Sequence, residues 1–370
     1  MNPGPVKIFY WSEVKAMNHR KTILKEGSLL QRIVSIIAIS MSLFHIYIAL
    51  FGGLEALQQR GIFLMLSLVL VYLIYPMNKN ATKRNIWLEN IPFVILSVVS
   101  VGYLFLNYNE VTRRFEGLTP VKTIEIVLGI LLILLIFEGA RRVIGMILPT
   151  ISIIFLLYGF LGNYIPIGLL RHSGYSLERM VEINYLTLNG IFGTPMGVAS
   201  SFIILFIIFG TFLQVAGVDQ LFMDIAQAIT GKSNGGPAKV AVISSGLMGS
   251  ISGSAVANVM TTGTITIPTI KRLGYKPHVA AAIEAVASVG GAYMPPVMGA
   301  VAFLMSEFTG IPYIMIVKHA VLPAVLYFTA IFIMVHLEAV KNNIGTLTDA
   351  ELPDLKKSLS KKWHLLIPLV

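Results

Sequence analysis

The chain has 370 residues, 55% of them hydrophobic and 12% charged, and its 28 Lys and Arg against 18 Asp and Glu give a formal charge of +10. Soluble domains carry about 25% charged residues, so this deficit, with a mean hydropathy of +0.78, excludes an ordinary soluble domain and points to a polytopic membrane protein. The absence of cysteine excludes thiolate metal sites, thiol catalysis and disulfides.

A mostly polar leader, residues 1–32, carries Lys7, Lys15, Arg20, Lys21 and Lys25. The first apolar run, 33–51, is too long for a cleavable signal and lacks a small-residue cleavage site, so it reads as a retained span. Further runs of spanning or near-spanning length fall at about 61–76, 91–107, 121–137, 144–162 and 186–215. An amphipathic segment, Asp219–Thr230, places Leu221, Phe222, Ile225 and Ile229 on one helical face. An interrupted apolar stretch follows, then a run at about 311–336, a polar stretch over 337–362, and a new apolar run from Leu365 to Val370. Trp87 and Trp363 fit interfacial anchoring.

Charge orients these spans. The basic leader puts the N-terminus in the cytoplasm, and alternate crossings bring Lys79, Lys83, Arg84, Arg141 and Arg142 inside as well. Arg113 and Arg114 fall outside, with Glu110 and Glu116 as their expected partners. Lys232 and Lys239 come out inside, and so must Lys271, Arg272 and Lys276 about 30 residues later. A single crossing between those two basic loops would place the second outside. A re-entrant hairpin over about 240–268 keeps both inside, and the Lys-rich tail after 336 then follows suit. This distribution is that of cytoplasmic loops and excludes a nucleic-acid-binding face.

The hairpin tip would be the Ser/Gly knot Ser250, Ser252, Gly253 and Ser254. Glycine allows close backbone approach and positive φ. The hydroxyls and exposed carbonyls are hard oxygen ligands, and the first amides of the second arm offer positive dipole to an anion. Asn258, Thr261 and Thr262 extend the polar stripe. Small residues also serve tight helix packing, but packing does not account for a second interruption facing the first. That interruption lies in a broken helix over about 278–306, where Gly290-Gly291 precedes Pro295-Pro296. Two prolines remove two backbone donors, so carbonyls at Gly290, Gly291 and Met294 are expected to lose partners and to suit a monovalent cation.

Glu284, a carboxylate in an apolar helix, could carry a proton or face the cavity, although its nearness to His278 draws it toward the membrane interface. The seven histidines show no ligand spacing, no transition metal is expected, and His45 reads as a packing residue within a span. An intramembrane serine protease would need Gly two residues before its nucleophile and a base opposite. Ser250 stands there before Ser252, and His278, His319 and His336 lie near span ends, so no enzyme is expected.

GSISGSAVANVMTTGTITIPTIKRLGYKP and EAVASVGGAYMPPVMGAVAFLMSEFTGIP, with GIFGTPMGVASSFIILFIIFGTFLQVAG upstream, resemble the large membrane subunit of tripartite ATP-independent periplasmic (TRAP) transporters. The similarity covers about 186–340. The spans over 33–138 fit, by number and position, the small subunit of the fused form, leaving 139–370 as the first half of the large subunit. The resemblance implies an all-α, elevator-type permease in a prokaryotic inner membrane. It would be driven by Na+ without other cofactor, would import small organic anions, often carboxylates, and would be served by an extracytoplasmic solute-binding protein. It assigns Na+ to Ser250, Ser252, Gly253, Ser254, Ser288, Gly290, Gly291, Met294 and Pro295. Substrate would touch Ser252, Ser254, Asn258 and Pro296. Val289 and Ala292 stand where relatives often carry a hydroxyl and an amide, which places more weight on backbone carbonyls. The family fold has two inverted repeats, of which one is found here, and a second hairpin and break are expected beyond Val370. A divalent-anion/Na+ symporter working without a binding protein, and an inactive assembly subunit, are the alternatives.

Overall fold

The computed structural model describes residues 29–77, 83–346, 352–353, 360 and 362–369, without the side chains of 83–88 and of Leu366, Pro368 and Leu369. The basic leader, Lys79, the Trp87 side chain and most of the Lys-rich tail lie outside these residues. The described chain is helical, and seven helices are long and apolar enough to cross a membrane. It forms two compact units that divide between Ser200 and Ser201, a packing division distinct from the 138/139 division drawn from topology.

In the first unit the long helices are α1 (Leu29–Phe51), α2 (Ala56–Ile74), α3 (Lys83–Leu106), α5 (Thr123–Ile144) and α6 (Ile147–Leu161), with the short α4 (Tyr108–Thr112) between α3 and α5. The apolar faces of α2, α3 and α5 meet around Leu64, Leu68, Tyr72, Leu104 and Leu132, joined by Tyr185 from further along the chain. Many other apolar side chains, such as Ile36, Leu43 and Phe155, stay exposed, as expected of a surface in contact with lipid tails. His45 is buried edge-on against Phe44 and Phe63, its Nδ1 2.7 Å from the Met41 carbonyl.

Polar side chains tie this unit at its ends. Arg142 lies under the rings of Tyr72 and Phe93 and donates to Glu138, Asn90 and the Tyr75 carbonyl. The connector before α5 corrects the expected pairing. Arg114 bonds both oxygens of Glu125 at 2.8 Å, in the first turn of α5, and that pair is almost fully buried. Glu110 instead meets Lys122, and Glu116 lies 3.9 Å from Arg179. The reason is spatial: the connector folds back over α5, so its charges find partners further along the chain. The Lys122 ammonium bonded to Glu110 holds that carboxyl below the usual carboxylate range.

The run read over 186–215 divides. Thr187 to Gly193 is a non-helical turn in which the Ile191 amide reaches the Asn184 carbonyl at 3.0 Å. Helix resumes at α7 and α8 on either side (Leu177–Val181 and Thr194–Val198), and the apolar span is Thr194–Ala216. Asn189-Gly190 and Gly193, followed by Pro195 in a first helical turn, are the breakers that an apolar average hides.

The second unit contains α9 (Ile204–Ala216), α10 (Val218–Thr230), α11 (Gly236–Ser252), α12 (Ala255–Arg272), α13 (Pro277–Gly290), α14 (Ala300–Thr309) and α15 (Tyr313–Lys341). On α10 the buried face is Val218, Leu221, Phe222, Met223 and Ala226, whereas Ile229 is 64% exposed. Of the expected stripe, Leu221 and Phe222 are buried and Ile225 packs half-buried beside them, so only Ile229 departs from it. Helices α11 and α12 form an antiparallel hairpin, about 25 Å long by the 17 residues of α11, and neither belongs to the seven span-length apolar helices. Ala238, Ala241 and Val242 of α11 pack with Ile270, Ile283, Ala287, Ile331 and Val335 of α12, α13 and α15.

Candidate functional site

The hairpin reverses over two residues because Gly253 caps α11 in the left-handed region (φ +59°) and Ser254 caps α12, its Oγ accepting from the Ala257 amide. Helix α13 ends at Gly290, and residues 291–299 are non-helical until α14 begins at Ala300. The tip and the break are in backbone contact. A Cβ on Gly249 would stand 2.2 Å from the Gly291 α-carbon, and one on Gly253 would stand 2.0 Å from the Met298 carbonyl oxygen. The Val297 amide donates to the Ser250 carbonyl at 3.0 Å. Tyr313 at the start of α15 fixes the far side of the break, donating to the carbonyls of Pro296 and Val297.

The expected ligands divide by environment. Ser250 is buried and donates to the Leu247 carbonyl. Ser252 has a buried hydroxyl without a hydrogen-bond partner among the described residues. Ser254 is exposed at the tip. Asn258 is fully buried and donates to the Ser245 carbonyl at 2.7 Å. Thr262 is buried with it, while Thr261 is half-buried and donates to the Ala257 carbonyl.

On the break, Ser288 is fully buried, Gly290 lies against the rings of Tyr327 and Phe328, and Gly291 meets Gly249. The expected freeing of the Gly290 and Gly291 carbonyls does not occur. The amides of Tyr293 and Met294 turn back onto them at 3.0 and 3.2 Å, and Gly299 closes onto Ala292 at 2.9 Å. The stretch is wound into tight turns, which supply the partners a helix would have supplied; each carbonyl keeps a second lone pair. The half-buried Met294 faces an apolar cavity of about 280 Å³ lined by Val242, Leu247, Phe328 and Phe332. Pro295 is half-buried and Pro296 exposed.

Glu284 of α13 joins the two hairpin arms. It is fully buried within protein, with Ser245, Thr262, Thr266 and Ser288 donating to it. Ser245, Gly249, Thr266, Glu284 and Met298 were not among the expected site residues. The signal for most of them is a spacing of four, which stacks residues on one helical face: Ser245–Gly249–Gly253, Asn258–Thr262–Thr266 and Glu284–Ser288.

Residues 131–370, well over half the chain, match the DctM component of tripartite ATP-independent periplasmic transporters. The chain belongs to this TRAP transporter family. Among relatives, it is similar to a protein named as a TRAP transporter large permease in Haemophilus influenzae, 26% identical over 166 residues, 45% of this chain and 39% of that protein. It is 27% identical over 166 residues to the C4-dicarboxylate TRAP transporter large permease protein DctM of Pseudomonas aeruginosa, covering 45% of this chain and 38% of that one. It is 33% identical over 91 residues to the isethionate TRAP transporter permease protein DctMQ of Oleidesulfovibrio alaskensis, 25% of this chain and 14% of that one. The chain spans about two-fifths of the length of the first two. The matching family model describes a transporter component and not an enzyme.

Proposed function

We propose that the chain is part of a TRAP permease in which inward Na+ flow drives uptake of a small organic anion delivered by an extracytoplasmic solute-binding protein. The observation that carries this reading is the backbone-to-backbone docking of the hairpin tip on the non-helical stretch after α13, beside the partnerless Ser252 hydroxyl. In hydrocarbon each unsatisfied backbone group costs several kcal/mol, so irregular backbone persists only inside protein or beside a polar cavity. Paired interruptions of this kind mark ion and substrate sites in secondary transporters. Ser252 Oγ and the second lone pairs of the Gly290, Gly291 and Met294 carbonyls offer Na+ neutral hard oxygens. The amide end of α12, capped by Ser254, offers a substrate anion positive dipole.

C4-dicarboxylate and isethionate, in the names of two relatives, are both small organic anions, which supports that substrate class. One charge moving down 100 mV supplies about 2.3 kcal/mol. In this reading the hairpin is re-entrant, the spans over 33–138 act as a fused small subunit, and the unit carrying the site moves as an elevator in the inner membrane.

The test is substrate uptake by the full-length permease in proteoliposomes with its binding protein. Uptake should follow an imposed Na+ gradient and collapse without the binding protein. Equal uptake under a choline gradient would overturn Na+ coupling. Ser252→Ala should reduce Na+-dependent uptake at least tenfold with membrane insertion unchanged, and undiminished uptake would remove Ser252 from the site.

A further inference from the structure

Glu284 is a carboxylate in the interior of a membrane protein, and no ion pair to it occurs among the described residues. Its Oε1 accepts from Ser245 at 2.9 Å, Thr262 at 2.5 Å and Ser288 at 3.1 Å, and its Oε2 accepts from Thr266 at 2.5 Å. Thr262 and Thr266 share their hydrogens with the carbonyls of Asn258 and Thr262 one turn back. One side chain therefore ties both hairpin arms to the broken helix. A Cβ on Gly263 would stand 3.0 Å from the Glu284 Cγ, so the absence of a side chain there leaves room for the carboxylate arm.

Packing alone does not call for such a group. An apolar side chain of similar volume would hold three helices together without the desolvation cost of a buried carboxylate. What Glu284 does that an apolar residue cannot is orient hydroxyls and place negative charge. Ser288 lies one turn after it and immediately before the break. That serine directs its single hydrogen to Glu284, which leaves both oxygen lone pairs for another partner.

We propose that Glu284 is a positioning residue for the cation site, an inference that rests on the Na+-coupled reading above. It holds the Ser288 hydroxyl in the orientation that ligates, locks the hairpin against the break, and supplies the anionic environment into which a monovalent cation settles.

The experiment titrates NaCl against choline chloride at saturating substrate, in the full-length permease with its binding protein. Glu284→Gln keeps the volume and hydrogen-bonding reach while removing the charge. It should raise the half-saturating Na+ concentration tenfold or more. Substrate KM at the highest Na+ and the amount of inserted protein should stay at wild-type values. Glu284→Asp, which keeps the charge, should shift half-saturation less than Gln.

A residue that only staples helices would lower protein yield or Vmax while leaving Na+ half-saturation unmoved, and that result overturns the proposal. Thr266→Val removes one hydroxyl at nearly constant shape. It should shift half-saturation several-fold, and no shift would overturn the proposal even if Glu284→Gln failed to insert. A second readout needs no transport: NaCl should raise the thermal unfolding temperature of the detergent-purified wild type, and Glu284→Gln should lose that rise. Wild-type uptake indifferent to Na+ would instead overturn the Na+-coupled function itself, without reference to any Glu284 variant.

Discussion

At the scale of single residues, the site depends on side chains that are missing. Gly249 and Gly291 meet through their α-carbons, and neither backbone has a flexible neighbour to displace. Gly249→Ala is therefore expected to destabilise by about 1–3 kcal/mol or more, as overpacked interiors do. Gly102 in α3 has no heavy atom within 4 Å of its would-be Cβ, so Gly102→Ala should leave stability unchanged or slightly raised. Thermal unfolding of the purified protein compares the two, and equal midpoints would contradict the close approach. Arg114 and Glu125 present the opposite case, two charges 3% and 0% exposed. Arg114→Ala leaves a buried carboxylate without its partner and should cost about 3–5 kcal/mol, read as a fall in the same midpoint.

At the scale of elements, the hairpin and the broken helix form one assembly. The chain has no cysteine, so introduced pairs report without background. Ser250 and Val297 share a backbone hydrogen bond of 3.0 Å, which brings their α-carbons into disulfide range. Ser250→Cys with Val297→Cys should cross-link under mild oxidation and arrest uptake, and reductant should restore it. A pair that oxidises without loss of uptake would show that tip and break need not separate. The two interruptions were legible in the sequence because Ser/Gly and Gly/Pro clusters stand out against apolar runs. The burial of Glu284 within protein was not legible, for a physical reason. One-dimensional proximity to His278 measures distance along a helix, whereas burial depends on what packs around it, and His278 is exposed only six residues away. The Gly290 and Gly291 carbonyls were misjudged because proline predicts lost helix bonds and not the turns that replace them. The partners of Arg114 and Glu110 are set by the fold of a connector, for which periodicity carries no signal.

At the scale of the molecule, the seven apolar helices are separated by connectors whose charge bias implies orientation. Single cysteines at Lys232 and at Gly274, on the two connectors flanking the hairpin, should label from the same side of the membrane. Opposite-side labelling would convert the hairpin into an ordinary crossing and remove the basis for a re-entrant site. Lys271→Glu with Arg272→Glu should disturb that labelling pattern more than it disturbs substrate affinity. The many exposed apolar side chains of α1 and α15 suit a lipid environment, where no hydrophobic drive acts between helices.

A joint of glycine on glycine also has mechanical character. Interlocked side chains must change rotamer before two helices part, and each such change adds friction. Where α11 meets the break at Gly249 and Gly291 there are no knobs to withdraw. At that joint, parting breaks directional bonds such as the one from Val297 to Ser250. The contact is thus a smooth bearing held by latches.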